Sequence, residues 1–443
     1  MAKYLKNLIV FTVVLLLLSA CGIGSVQDAN ASEGEATTTL PELDPENPTK
    51  ITFYSYSLAY PTMKEGMKKL INDFNETVGK EKGVVVEGVA DPNFQQYRAD
   101  IVAGKEVDIV QNVFPMLDAS RLSLGFQAYE DVFPEDELEE HLQGISENAR
   151  QLGVIDGKMY GLAFTFSTPI VFINGSIFEE AGLDPNDPPE TWAEVKEYAV
   201  QIKEETGKDG FALEPDNGWV TDGVFFSNGA QILSEDRSEA MFASEEGIEA
   251  VEIWKDIYQS GAHAVGSTTE VPEQFLAGNL GMYITSTALH SGMKAAAEAG
   301  GWELYGGPLP QFGDQPSVPV NSGSALTVRP DTDEKRAATW EFIKYVTGAE
   351  GYTTITQEIG YLPLRTELAD QEEYLKPFVE ENPLYKINLE QLEEIQPTTI
   401  WPGENAAETS AIFTDAIVEA ITTDADVADT LNNAQEEING LLK

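Results

Sequence analysis

The chain has 443 residues, 42% of them hydrophobic, and sets 75 acidic side chains against 27 basic ones, for a formal net charge of −48. That length exceeds one compact core, so two or three domains are expected. The charge argues against nucleic acid, which needs a basic face, and against docking of a protein surface on an anionic membrane. With no long acidic block, it reads as a carboxylate coat spread over the whole surface, fit for high salt or high pH. A solubility and stability titration from low to molar salt tests that reading.

The N-terminus sets Lys3 and Lys6 before an apolar run, Leu8 to Leu18, and then Leu18-Ser19-Ala20-Cys21-Gly22. This is the layout of a secretory signal peptide over residues 1–20 with no twin-arginine pair, so export is of the Sec type. The stretch before Cys21 resembles a bacterial lipobox. That resemblance implies cleavage before Cys21, lipidation of its sulfur, and anchoring at the extracellular face of the membrane. Cys21 is the single cysteine, so no disulfide forms within the chain. Residues 21–48 are acidic and polar and read as a disordered tether.

The elements then alternate. Ile51 to Tyr56 reads as a first strand, and Tyr60 to Thr77 as a helix with Met63, Met67, Leu70, Ile71 and Phe74 at helical spacing. Val84 to Val89 and Val107 to Val110 follow as strands, with a helix from Phe94 to Ala103 between them. Strand–helix order with short loops indicates layered α/β structure with parallel sheets. Later, Thr191 caps a helix through Glu205, Gly247 to Tyr258 is amphipathic, Gly281 to Thr285 and Ser324 to Val328 are strands, and Thr332 to Val346 is a helix. Glu367 to Leu442 reads as mostly helical, broken by IQPTTIWPGEN.

Between these halves lies YGLAFTFSTPIVFINGSIF, Tyr160 to Phe178. Two apolar runs read as buried strands, and Pro169 between them cannot donate to a ladder. The stretch is therefore read as the chain crossing from one lobe to another, leaving the hydroxyls of Ser167 and Thr168 at the crossing.

Signs of chemistry are sparse. His141, His263 and His290 lie far apart, so no zinc site is supported and no metal is expected. The acidic loop Asp184 to Asp187 is a turn around Pro185 and Pro188, not a calcium loop. There is no nucleophile elbow and no phosphate-cradling glycine loop, so no catalytic residue or cofactor is assigned. Of six tryptophans, Trp192, Trp254 and Trp340 fall on helices at core spacing, while Trp219 and Trp401 fall in polar loops, where an indole face stacks on a sugar ring.

These stretches together resemble the extracellular solute-binding proteins (family 1) of bacterial ABC importers. AGLDPNDPPETWAEV follows the crossing; FLAGNLGMYITSTA, PLPQFGDQP with NSGSALTV, and AATWEFIKYVTGAEG with QEIGYLPLR come in order. The lobe crossing and the C-terminal Trp-Pro-Gly loop are most similar to the carbohydrate and glycerol-3-phosphate branch. The resemblance implies a two-lobed periplasmic-binding-protein-like fold of type II, each lobe a mostly parallel sheet flanked by helices. Lobe 1 would hold 49–166 and 307–355, and lobe 2 would hold 167–306 and 356–443, closing on ligand by hinge motion. Carried over residue by residue, it implies ligand contacts at Tyr54, Tyr56, Phe94, Phe114, Ser167, Thr168, Trp219, Ser286, Thr287, Ser322, Gly323, Tyr361 and Trp401. The glycerol-3-phosphate members carry a tyrosine and a glutamate at the positions of Phe94 and Phe114, and an arginine in the C-terminal loop. A bound phosphate needs a cation or a helix N-terminus, and of seven arginines only Arg365 falls near a mapped position.

The reading is a monomeric lipoprotein that captures a neutral sugar or oligosaccharide and passes it to the permease subunits of an importer. Glycerol 3-phosphate or a glycerophosphodiester is the alternative ligand. An acidic secreted glycan-degrading enzyme, or an adhesin or sensor subunit, is the alternative of another class.

Overall fold

Strand β1 (Thr49–Ser55) pairs in parallel with β2 (Val84–Ala90) along its whole length and with β3 (Ile109–Val113) at Phe53 and Tyr54. A small hairpin follows, β4 (Val154–Ile155) with β5 (Lys158–Met159). Then β6 (Leu162–Ser167) joins the first sheet, and β7 (Pro169–Asn174) starts the second, with Thr168 alone between them. The second sheet adds β8 (Asp209–Ala212), β9 (Leu280–Ser286) and β10 (Leu304–Gly307), and β11 (Ser322–Val328) returns to the first. The strand orders are β2-β1-β3-β11-β6 and β10-β7-β9-β8. This is a computed structural model, and it describes residues 39–268, 270–403 and 405–442. The expected signal peptide, Cys21 and most of the expected tether lie outside the described residues.

The crossing at Thr168 explains why neither sheet is mostly parallel, contrary to the expectation. Strand β11 reaches the first sheet from the other lobe and runs antiparallel to both β3 and β6. Strand β7 leaves the first sheet with no helix to turn it and runs antiparallel to β9 and β10; in the second sheet only β8 and β9 are parallel. Parallel neighbours need a long crossover, which the directly joined strands lack. Every residue of β6 and β7 is buried, as runs covered on both faces require.

Helices close over both sheets. The helix Trp192–Thr206 starts where Thr191 Oγ1 accepts the Glu194 N–H at 3.2 Å and Glu194 accepts the Thr191 N–H at 3.0 Å; it stops at Gly207, in the left-handed region at φ 72°. EPDNGWVTDG, expected as a loop, opens the helix Gly218–Ser227, seven of whose ten residues are buried. Apolar residues on all sides of a helix hide its periodicity.

One core lies around the first sheet, with Phe53, Ile109, Phe164, Leu326, Trp340 and Phe342. Two others cover the second sheet, one with Trp192, Phe211 and Trp254, the other with Phe172, Phe275 and Tyr283. The lobe boundary at 356 is corrected: Ile359, Leu362, Leu375, Leu392, Ile395 and Ile400 all belong to the first core. Leu384, Trp401 and the helices Ala406–Thr422 and Val427–Leu441 pack on lobe 2 instead. The tether is also shorter than expected, since Leu40 and Leu43 pack against the first core.

Candidate functional site

The seam between the sheets is built from strand ends. The C-terminal ends of β1, β3 and β6 meet the start of β11, and the C-terminal end of β9 faces them across Thr168. In open α/β sheets, the ends of strands where the order reverses are where ligands bind.

At the seam floor, Ser167 pairs with Ser322 in the first sheet, and Pro169 pairs with Ser286 in the second. The Ser167 hydroxyl lies 2.6 Å from Ser286 Oγ and 2.9 Å from Ser322 Oγ, so one side chain bridges the two sheets. Thr168 turns the other way: its Oγ1 accepts from Asn388 Nδ2 at 2.7 Å, and its carbonyl accepts from the Thr287 hydroxyl at 3.3 Å. Ser167, Thr168 and Thr287 are fully buried. Their hydroxyls are held by protein groups and pin the crossing. Ser286, Ser322 and Gly323 are half-buried. Gly323 stands at φ +100°, and a Cβ there would meet the Thr165 carbonyl oxygen at 2.1 Å, so only glycine fits.

Beside the floor stands a polar network. Gln111 accepts from Ser55 Oγ at 2.5 Å, and its amide nitrogen lies 2.8 Å from Thr165 Oγ1, 2.9 Å from Ser57 Oγ and 3.1 Å from Ser324 Oγ. Tyr56, in the turn after β1, reaches the same group, with its OH 3.2 Å from Thr165 Oγ1. Its ring meets Tyr60 at 6.0 Å and Phe94 at 5.6 Å, both edge-on. Tyr361 adjoins Tyr56; burial, and then that neighbour, hold its phenol protonated well above the usual range. Tyr60 is 46% exposed. Phe94 takes φ 56°, a left-handed conformation uncommon for a residue with a Cβ. Lobe 2 faces this wall through Ala288, which packs on the first core and whose carbonyl lies near Gly360.

Tyr56 and Tyr361 are each 7% exposed, and three other expected contacts are buried as well. Tyr54 packs with Tyr97, Val110 and Phe126 and donates its hydroxyl to Asp100 at 2.8 Å. Phe114 is buried in the first core. Trp401 lies in the second core against Phe413, ring centres 5.7 Å apart. Tyr97 of the helix Gln96–Val102 packs on Tyr54, and Phe413 of the helix Ala406–Thr422 packs on Trp401. Trp219, the second residue of its helix, is half-buried. Arg365 is structural, donating to the carbonyls of Thr347, Gln143 and His141.

No spacing in the sequence signals the charges at the seam. Asp118 of lobe 1 pairs with Arg121 at 2.6 Å and with Arg237 of lobe 2 at 3.1 Å. Burial would raise the Asp118 pKa, but the Gly403 N–H and the two guanidinium groups hold it below the ordinary carboxylate range. Asp222 lies on the helix Gly218–Ser227 and accepts from the Thr398 hydroxyl at 2.8 Å and the Thr399 N–H at 2.7 Å; burial pushes its carboxyl up to about 6. A cavity of about 780 Å³, within the range of small-molecule sites, lies between the lobes. Its lining includes Ile155 and Asp156 from lobe 1, Phe226 and Arg237 from lobe 2, and Gln396 and Thr399. Among the described residues no group of three or more His, Cys, Asp or Glu could hold a metal ion.

A profile of the bacterial extracellular solute-binding proteins matches residues 69–387. The chain belongs to this family. The solute-binding protein is 28% identical over 240 residues to the sn-glycerol-3-phosphate-binding periplasmic protein UgpB of Escherichia coli K12, a match covering 51% of this chain and 53% of that one. It thus spans about half the length of the curated relatives it matches. Its fold is similar to that of the cyclic alpha-maltosyl-1,6-maltose binding protein of Arthrobacter globiformis, with a TM-score of 0.78, 23% identity, and coverage of 90% of this chain and 100% of that one. It is also similar to UgpB of Mycobacterium tuberculosis, solved with glycerophosphocholine, with a TM-score of 0.75, 21% identity, and coverage of 89% and 99%.

Proposed function

We propose that this solute-binding protein captures a neutral sugar or oligosaccharide between its lobes and hands it to the permease of an ABC importer. The observation that carries the reading is the aromatic group Tyr56, Tyr60 and Phe94 standing beside seam hydroxyls. Ring faces cover the C–H face of a pyranose while hydroxyls take its polar edge. The contacts proposed are Tyr56, Tyr60, Phe94, Tyr361 and Trp219, with Ser286, Ser322 and Gly323 at the floor.

The charge balance supports a neutral ligand. Arg121 and Arg237 are each paired with aspartate, and a phosphate entering there would have to displace Asp118 or Asp156. The sugar-binding neighbour from Arthrobacter supports the same reading. The Escherichia coli relative and the Mycobacterium structure, by their names, favour the alternative, glycerol 3-phosphate or a glycerophosphodiester. No chemistry on the ligand is proposed; function is affinity and closure. Export by the signal peptide, a lipid anchor through Cys21, a monomeric state and a place at the extracellular face of the membrane complete the proposal.

A thermal-shift screen tests it, because a ligand that binds only the folded state raises the melting temperature by mass action. An uncharged oligosaccharide is expected to raise it, with glycerol 3-phosphate and glycerophosphocholine leaving it unchanged. The reverse pattern would establish the alternative. Recovery of the sugar unaltered after a day with the protein separates binding from hydrolysis.

A further inference from the structure

Four charged side chains form a closed ring across the lobes. Asp118 and Arg121 stand on the helix Leu117–Leu124 of lobe 1, and Asp156 stands in the turn of the β4–β5 hairpin of the same lobe. Arg237 comes from lobe 2, in a tight turn where its N–H donates to the Ser234 carbonyl at 2.8 Å. Its guanidinium reaches Asp118 and Asp156, at 3.1 Å each, and donates to the Ile400 carbonyl at 3.0 Å. Arg121 completes the ring, bonding Asp118 at 2.6 Å and also Asp156. Two of the chain's seven arginines thus meet at one point, in a molecule of net charge −48.

The backbone gives a second, independent mark. Among the described residues only three non-glycine residues take positive φ, and two of them are Asp156 at 51° and Arg237 at 58°. They are partners in one ion pair. A residue with a Cβ holds the left-handed conformation at a cost, and persists there when its surroundings fix it. Here both ends of the bridge are held so.

The ring's burial is uneven. The Asp118 side chain is 2% exposed, whereas Asp156 is 54% exposed. Dissolved ions therefore screen the Arg237–Asp156 half strongly and the Arg237–Asp118 half weakly. Two of the four groups, Asp156 and Arg237, line the interlobe cavity. We propose that this ring is an ionic latch that holds the two lobes at the spacing in which it forms, and that ionic strength sets how firmly it holds. The latch rests on the two-lobed fold and not on which solute is bound, so its failure would leave the ligand reading untouched.

The test is an interlobe distance distribution measured without ligand. Val102 of lobe 1 and Val265 of lobe 2 are 83% and 69% exposed. Cys21 is the one natural cysteine, so the full chain carrying Cys21→Ser, Val102→Cys and Val265→Cys takes two labels cleanly. At low salt the parent should give one narrow distribution. Arg237→Ala should add a second population, changing the ratio of the two at least about tenfold. Asp156→Asn, which keeps a side chain that tolerates the left-handed turn, should do the same, and a cooperative melt shows that each variant is folded. In the parent, raising salt from about 0.05 to about 1 M should bring up that same second population. A distribution unchanged in both variants, or a parent indifferent to salt, would overturn the latch.

Discussion

Ser167 Oγ lies 2.6 Å from Ser286 Oγ, and the two serines end strands of different sheets. This bond, with the 2.9 Å approach of Ser322, makes one hydroxyl the link between the lobes at their closest crossing. The link is small and its outer partners are half-buried, so it lets the lobes hinge while fixing the register of the crossing.

Replacing Ser167 by alanine removes both bonds and leaves two serines to find water. The expected loss is about 1 kcal/mol of folding stability, read from the shift of the denaturant midpoint at constant slope. A loss several times larger would mean that the crossing depends on this bond for its packing as well.

Gly323→Ala should be far more damaging. The φ of +100° and the 2.1 Å approach to the Thr165 carbonyl leave no room for a methyl group. A destabilisation of roughly 3 kcal/mol or more is expected, visible as a drop in melting temperature. Near-native stability would show that the bulge between Ser324 and Ala325 relaxes easily.

The aromatic wall predicts a separation of affinity from stability. Tyr60 is 46% exposed and Phe94 is only partly covered, so Tyr60→Ala and Phe94→Gly should melt close to the parent; glycine also suits the left-handed backbone at residue 94. Each should weaken binding of the true solute at least about tenfold, the weight of about one stacking contact. Titration calorimetry on folded variants with unchanged affinity would move the site elsewhere along the seam.

Acid should destabilise the protein from about pH 6.5 downward. Burial pushes His141, His263 and His290 each down to about 4. Between that value and the ordinary 6.5, the unfolded chain binds protons that the folded chain refuses, so stability falls as pH falls through this window. His263 and His290 are buried and His141 half-buried, and each contributes at most on the order of 3 kcal/mol. Asp222, pushed up to about 6, works in the opposite sense: it favours the folded state below the ordinary aspartate range and loses that contribution as pH rises through 6. Glu214, also raised by burial, acts with Asp222, while Asp118, held low by its partners, acts with the three histidines, which set the sign. Denaturation series at pH 7, 6, 5 and 4 should show the net loss, and Asp222→Asn should steepen it.

Periodicity and caps determined the elements: the two apolar runs around Pro169, the Thr191 cap, and the helix carrying Trp340 were all legible, because each depends on neighbours within a few residues. The lobe crossing was legible for the same reason, since a proline between two strand-forming runs is a local fact. Which side chains face the seam was decided only by tertiary structure. Tyr54, Phe114 and Trp401 have the same local signature as Tyr60 and Phe94, yet they are buried and the latter two are not, a difference set by packing and not by the local pattern. The meeting of Asp118, Asp156 and Arg237 was equally hidden, because ion pairs between lobes leave no spacing in the sequence; they exist only once the chain has crossed and folded back on itself.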